Sequence, residues 1–266
     1  MSGPLLEARA IVVRFGGVVA LDAVDFAAAP NSISGLVGPN GAGKTTLFGV
    51  LSGLLRPRSG QVLLDGVDVT HASVQRRVRR GLARTFQRLE LFTELTVRDH
   101  LIVAQRVRHR RDRTLLRDLV GAGSRPAEDE AEFVAGILSL LGLEDVADRP
   151  VVSLPLGTGR IVEIARALAT EPRIVLLDEP TSGLDLHETE AVARALRAAR
   201  DNRGVAFVLV EHDVELVLQL CEEITVLDFG RVITRGNPDE IRTSAEVQAA
   251  YLGSAGRGGA MSEREA

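Results

Sequence analysis

The sequence predicts an α/β fold organised around a parallel β-sheet. Two continuous apolar runs, Arg173–Leu177 and Val205–Val210, are bounded by polar residues, a pattern typical of parallel strands buried on both faces. A third apolar run, Ile33–Val37, leads into a glycine-rich turn, and a helix is predicted to follow over Lys44–Leu54. Between the first two runs, Leu186–Arg200 carries apolar residues at helical spacing.

Shorter strands are predicted in the first quarter of the chain. Within residues 5–35, Ala10–Arg14 and a strand around Val24–Ala28 are separated by the turn Gly16-Gly17. Another strand is predicted at Gln61–Leu64, which is bounded on both sides by turn-forming residues.

The remaining chain is predicted to be mostly helical from about 88 to 168, with a polar stretch at Gly121–Glu130. Ile224–Leu227 and Arg231–Thr234 are predicted to form a hairpin around Asp228-Phe229-Gly230. Residues 254–266 are rich in Gly, Ser, Arg and Glu, a composition that predicts a disordered tail.

Composition narrows the class of protein. Hydrophobic residues make up 45% of the 266 residues and aromatic residues only 3%, so we expect a full core that is mainly aliphatic. The net charge of −4 gives no reason to expect sequence-independent binding of nucleic acid. Cys221 is the only cysteine, so no disulfide can form within the chain. With no signal peptide and no apolar run of about 18 residues, the protein is expected to be soluble and cytoplasmic.

The most informative motif surrounds Lys44, which is the only lysine among 32 basic residues. It fits the pattern G-x-x-x-x-G-K-[ST], which is formed by Gly38, Pro39, Asn40, Gly41, Ala42, Gly43, Lys44, Thr45 and Thr46. In such a loop, backbone N–H groups form a concave nest for phosphates at a helix N-terminus. A lysine ammonium is compact enough to reach between β- and γ-phosphates, and the hydroxyl of Thr45 would bind Mg²⁺. The motif therefore predicts nucleoside triphosphate binding.

Two carboxylates follow the buried run at Arg173–Leu177. Asp178 and Glu179 would lie at the carboxyl edge of a strand, where ligands bind in open α/β sheets. Asp178 is expected to hold Mg²⁺ through water. Glu179 is expected to polarise the attacking water, either as general base or as the group that orients it.

Five weaker features become informative through their order. Phe15 ends an N-terminal strand, Gln87 ends Arg84-Thr85-Phe86-Gln87, and Leu154–Thr158 opens a helix that continues to Ala169. Ser182–Asp185 follows the carboxylate pair, and His212 lies two residues after the apolar strand 205–210. In this order the chain, from about 5 to 253, resembles the ATP-binding subunit of an ABC transporter.

That resemblance implies a fold and a set of roles. The fold would be a P-loop NTPase (RecA-like) core with an N-terminal antiparallel β-subdomain and an inserted α-helical subdomain at about 88–168, all within one cassette, 5–253. Phe15 would stack on adenine, Gln87 would be the Q-loop glutamine near Mg²⁺, and His212 would be the switch histidine. Leu154, Pro155, Leu156, Gly157 and Thr158 would form the signature, and Ser182, Gly183, Leu184 and Asp185 the D-loop. The implied cofactors are ATP and Mg²⁺.

Further stretches resemble one branch of that family, the ATPase subunits of branched-chain amino acid importers. They are Arg14-Phe15-Gly16-Gly17, Gly81–Gln87, Leu91-Phe92 with Leu95-Thr96-Val97, Glu211-His212-Asp213 and Tyr251-Leu252-Gly253. The branch implies import of branched-chain amino acids, with other amino acids, amides or urea still open. It also implies integral membrane permeases, an extracytoplasmic solute-binding protein as an indirect partner, and a place on the cytoplasmic face of a bacterial membrane.

The signature departs from the family pattern L-S-G-G-Q. Pro155 replaces the serine, whose hydroxyl binds, with a glycine amide, the γ-phosphate held by the opposite subunit in the family. Proline is tolerated in the first turn of a helix, but it supplies no hydroxyl and no N–H. The missing bond is of a type worth roughly 1.5–3 kcal/mol. We therefore expect a heterodimer with a second ATPase subunit whose signature is intact, with a homodimer as the alternative.

A coupling surface is expected at Arg88–Phe92, where Leu89, Leu91 and Phe92 would receive a short cytoplasmic helix of the permease. Alternatively, these residues pack the helical insert against the core. Two other classes share the motifs: ABC ATPases that act on DNA or ribosomes, and nucleotide-sensing regulatory subunits. The single cassette and single cysteine argue against the first class, and the presence of Glu179 and His212 argues against the second.

Overall fold

The structure is a computed structural model that describes residues 3–85, 91–109 and 128–255. Side chains are described within those ranges except at residues 109 and 251–255.

A six-stranded sheet forms the centre of the fold, in the order β10-β9-β3-β8-β7-β6. Its strands are β3 (Ile33–Val37), β6 (Leu82–Arg84), β7 (Ile174–Asp178), β8 (Ala206–Val210), β9 (Glu223–Asp228) and β10 (Arg231–Gly236). All neighbouring pairs are parallel except β9 and β10, which form the antiparallel hairpin expected from the sequence. Every residue of β3, β7 and β8 is buried, including Ser34 and Asp178, as expected for mainly apolar strands that are covered on both faces.

A separate antiparallel sheet has the order β2-β1-β4-β5. Its strands are β1 (Leu6–Phe15), β2 (Val18–Ala28), β4 (Ser59–Leu64) and β5 (Val67–Asp68). The predicted strands Ala10–Arg14 and Val24–Ala28 were too short, because irregularities in the pairing of β1 with β2 interrupt the alternation of apolar and polar residues. The α/β class and the combination of a parallel core with an antiparallel N-terminal sheet are confirmed.

Nine helices are present in the described part of the chain. They are α1 (Lys44–Ser52), α2 (Val74–Arg79), α3 (Val97–His109), α4 (Glu128–Leu140), α5 (Leu156–Leu168), α6 (Leu186–Arg203), α7 (Val214–Leu220), α8 (Pro238–Thr243) and α9 (Ala245–Ala255). Helix α1 ends two residues before the predicted Leu54, with Gly53 as its C-cap. Helix α6 continues three residues beyond the predicted Arg200, until Gly204 adopts a left-handed conformation that ends it. None of these helices is long and apolar enough to cross a bilayer.

The two faces of the central sheet bury two different apolar clusters. Along β7, Val175 and Leu177 face the cluster that includes residues of α3, α4, α5 and α6, while Ile174 and Leu176 face the cluster that includes α1 and the antiparallel sheet. Successive side chains of a strand point to opposite faces, so one short run serves both layers. Burying each such side chain contributes about 1.5–3 kcal/mol to stability. Burial on both faces therefore stabilises the strands whose ends carry the functional side chains.

The boundaries of the predicted subdomains stay predictions. The helices α3, α4 and α5 lie in the region expected to be a helical insert at 88–168, but residues 86–90 and 110–127 lie outside the described residues. Glu128–Glu130, at the end of the predicted polar stretch, belong to α4. Helix α9 reaches Ala255, so residues 254 and 255 of the predicted tail are helical, and the rest of that tail lies outside the described residues.

Candidate functional site: a phosphate-binding cleft

The loop 38–43 connects β3 to α1 and turns sharply against its neighbours. Gly38 and Gly43 have φ values of +152° and +105°, which side-chain-bearing residues rarely adopt. A Cβ atom on Gly38 would lie 2.1 Å from the carbonyl oxygen of Leu227, and one on Gly43 would lie 2.8 Å from that of Ala20. The glycines are therefore required both by conformation and by space, and they bring the loop backbone against the strands behind it.

Lys44 is the first residue of α1 and is only 6% exposed. Its Nζ donates hydrogen bonds to the carbonyl oxygens of Gly38, at 2.5 Å, and Pro39, at 3.0 Å. Burial lowers the pKa of the Lys44 ammonium, while the charges of Glu179 and Asp178 act in the opposite direction. The ammonium is thus held over its own loop, where phosphate oxygens would compete for the same N–H groups.

The phosphate loop opens onto a cleft of about 220 Å³. Its lining consists of Ala20, Asn40, Gly41, Ala42, Gly43, Lys44, Thr45, Thr46, Glu179 and His212. This volume is below the roughly 300–1,000 Å³ of pockets that enclose a whole small molecule. At the N-terminus of α1, the cleft suits a polyphosphate chain, and a nucleoside attached to that chain would extend beyond it.

Asp178 ends β7 and is held by a cation that sequence reasoning did not assign. Arg84 Nη2 donates to Asp178 Oδ2 at 3.0 Å, and Arg84 Nη1 donates to the hydroxyl of Ser52 at 3.0 Å. The guanidinium also lies 5.8 Å from the ring centroid of Phe48. Arg84 therefore fixes the carboxylate of Asp178 against α1. Its only sequence signal was its place in the stretch that leads to Gln87.

Replacing Arg84 by Met is expected to lower the free energy of unfolding by about 3–5 kcal/mol, because it leaves a buried carboxylate without its cation. The two side chains are 13% and 9% exposed. Adding Asp178→Asn should recover part of this loss, since the remaining amide is neutral. Urea unfolding of the nucleotide-free protein measures the coupling.

Arg98→Met is the matched control, because its partner Asp148 is largely exposed and such pairs contribute only about 0–1 kcal/mol. Strictly additive losses in the Arg84→Met, Asp178→Asn double variant would contradict the interpretation of Arg84 as the counter-ion of Asp178.

Glu179 and His212 meet at the edge of the cleft. His212 Nε2 lies 2.7 Å from Glu179 Oε1, so an imidazole N–H at that nitrogen donates to the carboxylate. Glu179 has a φ of +49°, and its backbone N–H donates to the carbonyl oxygen of Val210 at 2.9 Å. A non-glycine residue in this conformation costs about 1–3 kcal/mol and persists only where its surroundings enforce it.

A buried acid, Glu211, lies next to His212 in the sequence and contacts the turn that follows Glu179. Its Oε1 accepts hydrogen bonds from the backbone N–H and the hydroxyl of Thr181, and its Oε2 accepts one from the backbone N–H of His212. Burial raises the pKa of Glu211, the bonds from Thr181 and His212 lower it, and the charge of Glu179 raises it further. From the sequence, Glu211 was named only as part of the stretch Glu211-His212-Asp213 and was given no role, since an acid after an apolar strand carries no signal of burial.

The residues expected to hold Mg²⁺ are only partly described. Thr45 lines the cleft and Asp178 ends β7, but Gln87 lies outside the described residues. Within the described ranges no three His, Cys, Asp or Glu side chains form a metal-binding cluster. Mg²⁺ is usually bound by one or two protein oxygens together with phosphates and water, so a hydroxyl and a carboxylate beside a phosphate cleft fit it.

The signature and the D-loop do not line the cleft but lie next to each other elsewhere. Pro155 is the N-cap of α5, with φ −56° and ψ 154°, so the helix starts as expected despite the proline. The N–H of Gly157 donates to Glu188 Oε1 at 3.0 Å. A Cβ atom on Gly183, in the D-loop, would lie 3.6 Å from Leu156 Cδ2. These two stretches therefore form one surface.

The D-loop leads directly into α6. Asp185 is the N-cap of that helix and forms a capping box with Glu188, in which each side chain accepts a backbone N–H. Leu184 packs partly buried against the core, while Leu186 remains exposed. Ser182 is anchored by its N–H to the carbonyl oxygen of Glu179 at 3.1 Å. The D-loop is thus fixed at both ends.

Phe15 ends β1 beside the Gly16-Gly17 turn and is paired with Val18 across it. Its side chain is 53% exposed and does not line the cleft. An exposed ring is available to stack on a base outside the phosphate pocket, but that role, like the roles of the signature and D-loop residues, stays a prediction.

Comparison with known protein families identifies the family of the chain. A family model described as "ABC transporter" matches residues 21–182, and a model described as a branched-chain amino acid ATP-binding cassette transporter matches residues 231–257.

Curated relatives match over nearly the full length. The high-affinity branched-chain amino acid transport ATP-binding protein BraF of Pseudomonas aeruginosa is 37% identical over 256 residues, which cover 96% of this chain and 100% of BraF. LivG of Escherichia coli K12, which bears the same description, is 38% identical over 258 residues, with 96% and 100% covered.

Solved structures agree with these matches. The ADP conformation of MJ1267, an ATP-binding cassette of an ABC transporter, has a TM-score of 0.82 and 28% identity, covering 94% of this chain and 99% of that one. A nucleotide-free ATP-binding cassette from an ABC transporter has a TM-score of 0.80 and 27% identity, with 94% and 99% covered.

Proposed function

We infer that this chain, which belongs to the family of ABC transporter ATP-binding subunits, powers a bacterial importer of branched-chain or related amino acids. Members of the family bind ATP and act as paired ATPases with membrane permeases. The proposed cargo is supported by the two full-length relatives named for branched-chain amino acid transport and by the C-terminal match at 231–257.

The observation that carries the proposed chemistry is the convergence of Lys44, Glu179 and His212 on one cleft. We propose that the loop 38–46 binds the phosphates of ATP and that Lys44 donates to the β- and γ-phosphate oxygens. Glu179, held by His212, would orient and polarise the attacking water. Phosphoryl transfer needs mainly positioning and charge stabilisation, which fixed backbone and side-chain donors supply.

Thr45, Asp178 and Gln87 are the residues proposed to hold Mg²⁺, with Asp178 acting through water. The ion would neutralise charge on the phosphates when bound. In the protein itself, Arg84 determines where the Asp178 carboxylate can reach, since it binds one of its two oxygens. Phe15 is proposed to stack on the adenine outside the cleft.

The signature and the D-loop of this chain do not line its own cleft, which supports completion of the cleft by a second ATPase subunit. The proposed partner signature would face Lys44, while this chain's own Leu154–Thr158 and Ser182–Asp185 would face ATP on the partner. Because Pro155 supplies no N–H and the N–H of Gly157 is bound to Glu188, this chain's half of that second site offers fewer donors. We therefore propose a heterodimer in which the site on Lys44 is the faster one.

The proposed permease contact includes two described residues. Leu91 packs against the core, whereas Phe92 is 63% exposed, and its ring stacks on His100 with the centroids 5.9 Å apart. His100 also receives the N–H of Phe92 at Nε2, at 2.9 Å, which fixes the loop. Arg88 and Leu89 lie outside the described residues. Phe92 is the side chain best placed to meet a permease helix.

Replacing Phe92 by Glu is expected to leave the basal ATPase activity within about twofold, and to reduce permease-stimulated activity and complex formation by roughly tenfold or more, as for an interface aromatic. Co-purification and ATPase assays in proteoliposomes measure both. Val67→Glu, an exposed apolar position on the antiparallel sheet, is the matched control. Unchanged stimulation in Phe92→Glu would contradict the contact.

The cargo is tested with the complex of this chain, its genomically neighbouring cassette and permeases. We expect ATPase activity to rise when the solute-binding protein is loaded with leucine, isoleucine or valine, and Glu179→Gln to abolish the response. Stimulation by amides or urea instead would overturn the amino acid assignment. Absence of ATP hydrolysis in a complete complex would overturn the proposed role as its motor.

A further inference from the structure

Glu211 is a buried carboxylate beside the cleft, and its contacts point to a specific task. It follows β8 directly and is only 3% exposed. Oε1 accepts the backbone N–H of Thr181 at 2.9 Å and the Thr181 hydroxyl at 2.6 Å, and Oε2 accepts the N–H of His212 at 3.2 Å. These three contacts are all donors, and an ionised carboxylate is a side chain that only accepts.

The position of Glu211 explains why such a group is needed there. The parallel pairing of β7 with β8 ends at Asp178 and Val210, and one more backbone bond follows, from Glu179 N–H to Val210 O at 2.9 Å. Beyond that point no further backbone bond between the segments that follow β7 and β8 is found in the described residues. Glu211 extends the connection through its side chain, which accepts hydrogen bonds from Thr181, in the segment after β7, and from the N–H of His212, in the segment after β8.

Three contacts hold the Glu179–His212 pair at the end of these strands. The backbone of Glu179 is tied to β8, its carboxylate lies 2.7 Å from His212 Nε2, and Thr181, two residues on, is tied to Glu211. Glu179 is held at a φ of +49°, which its own residue type does not favour. The bonds from Thr181 to Glu211, here called the clamp, add to the contacts that enforce this conformation, and the turn after Glu179 would be held less firmly without them.

We propose that Glu211 is a positioning residue for ATP hydrolysis, which fixes Glu179 and His212 relative to each other through Thr181 and the His212 backbone. This inference rests on the proposed function, since it concerns the geometry of the same pair. Glu211 does not line the cleft, and it acts on the orientation of Glu179 and His212, which do. Through Leu184, whose N–H donates to Thr181 O at 3.1 Å, the same clamp reaches the D-loop.

Substitutions at Glu211 and at Thr181 test the clamp from its two ends, and Thr181→Ser serves as the conservative control. Glu211→Gln keeps the shape but turns an acceptor into an NH₂ group, which meets a donor. Thr181→Val removes the hydroxyl and keeps the volume, while Thr181→Ser keeps the hydroxyl. A misplaced catalytic group can cost roughly a hundredfold in rate, so we expect kcat to fall about tenfold to a hundredfold in Glu211→Gln and Thr181→Val. The ATP affinity of the full-length chain should stay within about twofold in both.

Three further results are expected with the transporter complex. Thr181→Ser should restore most of kcat, and the Glu211→Gln, Thr181→Val double variant should lose no more than the worse single variant, because both break one clamp. Glu215→Gln, an exposed acid in the first turn of α7, should have wild-type kcat and KM. Thermal unfolding of each variant separates loss of positioning from loss of fold.

The inference is overturned if Glu211→Gln and Thr181→Val both keep wild-type kcat, if Thr181→Ser is as slow as Thr181→Val, or if affinity, Tm and kcat fall together in both variants. In any of these cases Glu179→Gln remains an independent test. If Glu179→Gln abolishes turnover while Glu211→Gln does not, the proposed function stands and the clamp is rejected. If the wild-type chain fails to bind ATP, the proposed function fails first.

Discussion

Replacing Lys44 by Ala is expected to weaken ATP binding by roughly 100-fold and to lower turnover by roughly 1,000-fold. Each hydrogen bond from a charged group contributes about 1.5–3 kcal/mol, and about 1.4 kcal/mol is a factor of ten. The ammonium would donate to more than one phosphate oxygen, so two such bonds are lost together. Fluorescence titration with a labelled ATP analogue and a steady-state ATPase assay measure the two effects separately.

The fold should survive this substitution. Lys44 is buried, burial lowers its pKa, and its bonds in the nucleotide-free protein go to the carbonyl oxygens of Gly38 and Pro39 within its own loop. Removing it therefore relieves a desolvation cost while it breaks local bonds. Tm should change by only a few degrees, on the order of 4 °C or less for a loss of about 1 kcal/mol in a chain of this size.

Lys44→Arg is the matched comparison, because it keeps the positive charge and introduces the residue that the chain uses at all its remaining Lys or Arg positions. A planar guanidinium is larger than an ammonium and cannot be enclosed by the same two carbonyl groups, so Arg should restore little of the lost affinity. If Lys44→Ala retained both wild-type affinity and wild-type turnover, the phosphate-binding role of the loop 38–46 would be rejected.

Replacing Glu179 by Gln is expected to reduce turnover by about 100- to 10,000-fold while ATP affinity stays within a few-fold. The amide keeps the size of the side chain and can still contact His212, but it cannot accept a proton from water or orient it as strongly. Single-turnover hydrolysis of radiolabelled ATP measures the chemical step without interference from product release.

The control for this variant is Glu190→Gln, an acid on the exposed face of α6 that pairs with Arg194 at 3.7 Å. It should have wild-type kinetics, since exposed pairs of this kind contribute little. A Glu179→Gln variant that hydrolyses ATP at more than about a tenth of the wild-type rate would show that another group activates the water.

The parallel strands and the phosphate loop were predictable because their signals are local. A short, mainly apolar run such as Ile33–Val37 has no polar face, and the glycine spacing before Lys44 matches a loop whose geometry depends on few residues. The carboxylates Asp178 and Glu179 could be placed by the same logic, since the end of a buried parallel strand fixes the edge at which they lie.

Other elements had no local signal. The strand β6 has three residues, too few to show a period, and exists because it pairs with β7. The helix α2 is six residues long and buries only Arg77, whose guanidinium donates to the carbonyl oxygens of Val50, Leu51 and Thr70. Arginine is rarely fully buried, so nothing local indicates the burial of Arg77, which tertiary contacts cause.

The supporting residues of the site were missed for the same reason. Arg84 meets Asp178, and Glu211 meets Thr181, across 94 and 30 residues of sequence. Neither contact follows from a motif, because a motif records the groups that touch the ligand more readily than the groups that hold them in place. The roles assigned to Phe15, Gln87 and His212 rest on their order along the chain and stay predictions.

The bond between Gly157 and Glu188 has a consequence for assembly. One acid in the first turn of α6 holds the second residue of α5, so the two helix starts are fastened into a single edge before any partner arrives. The entropy of ordering that edge is lost during folding, and a second subunit need not supply it on docking. Association at this edge should consequently be governed by shape, with little local rearrangement of the backbone.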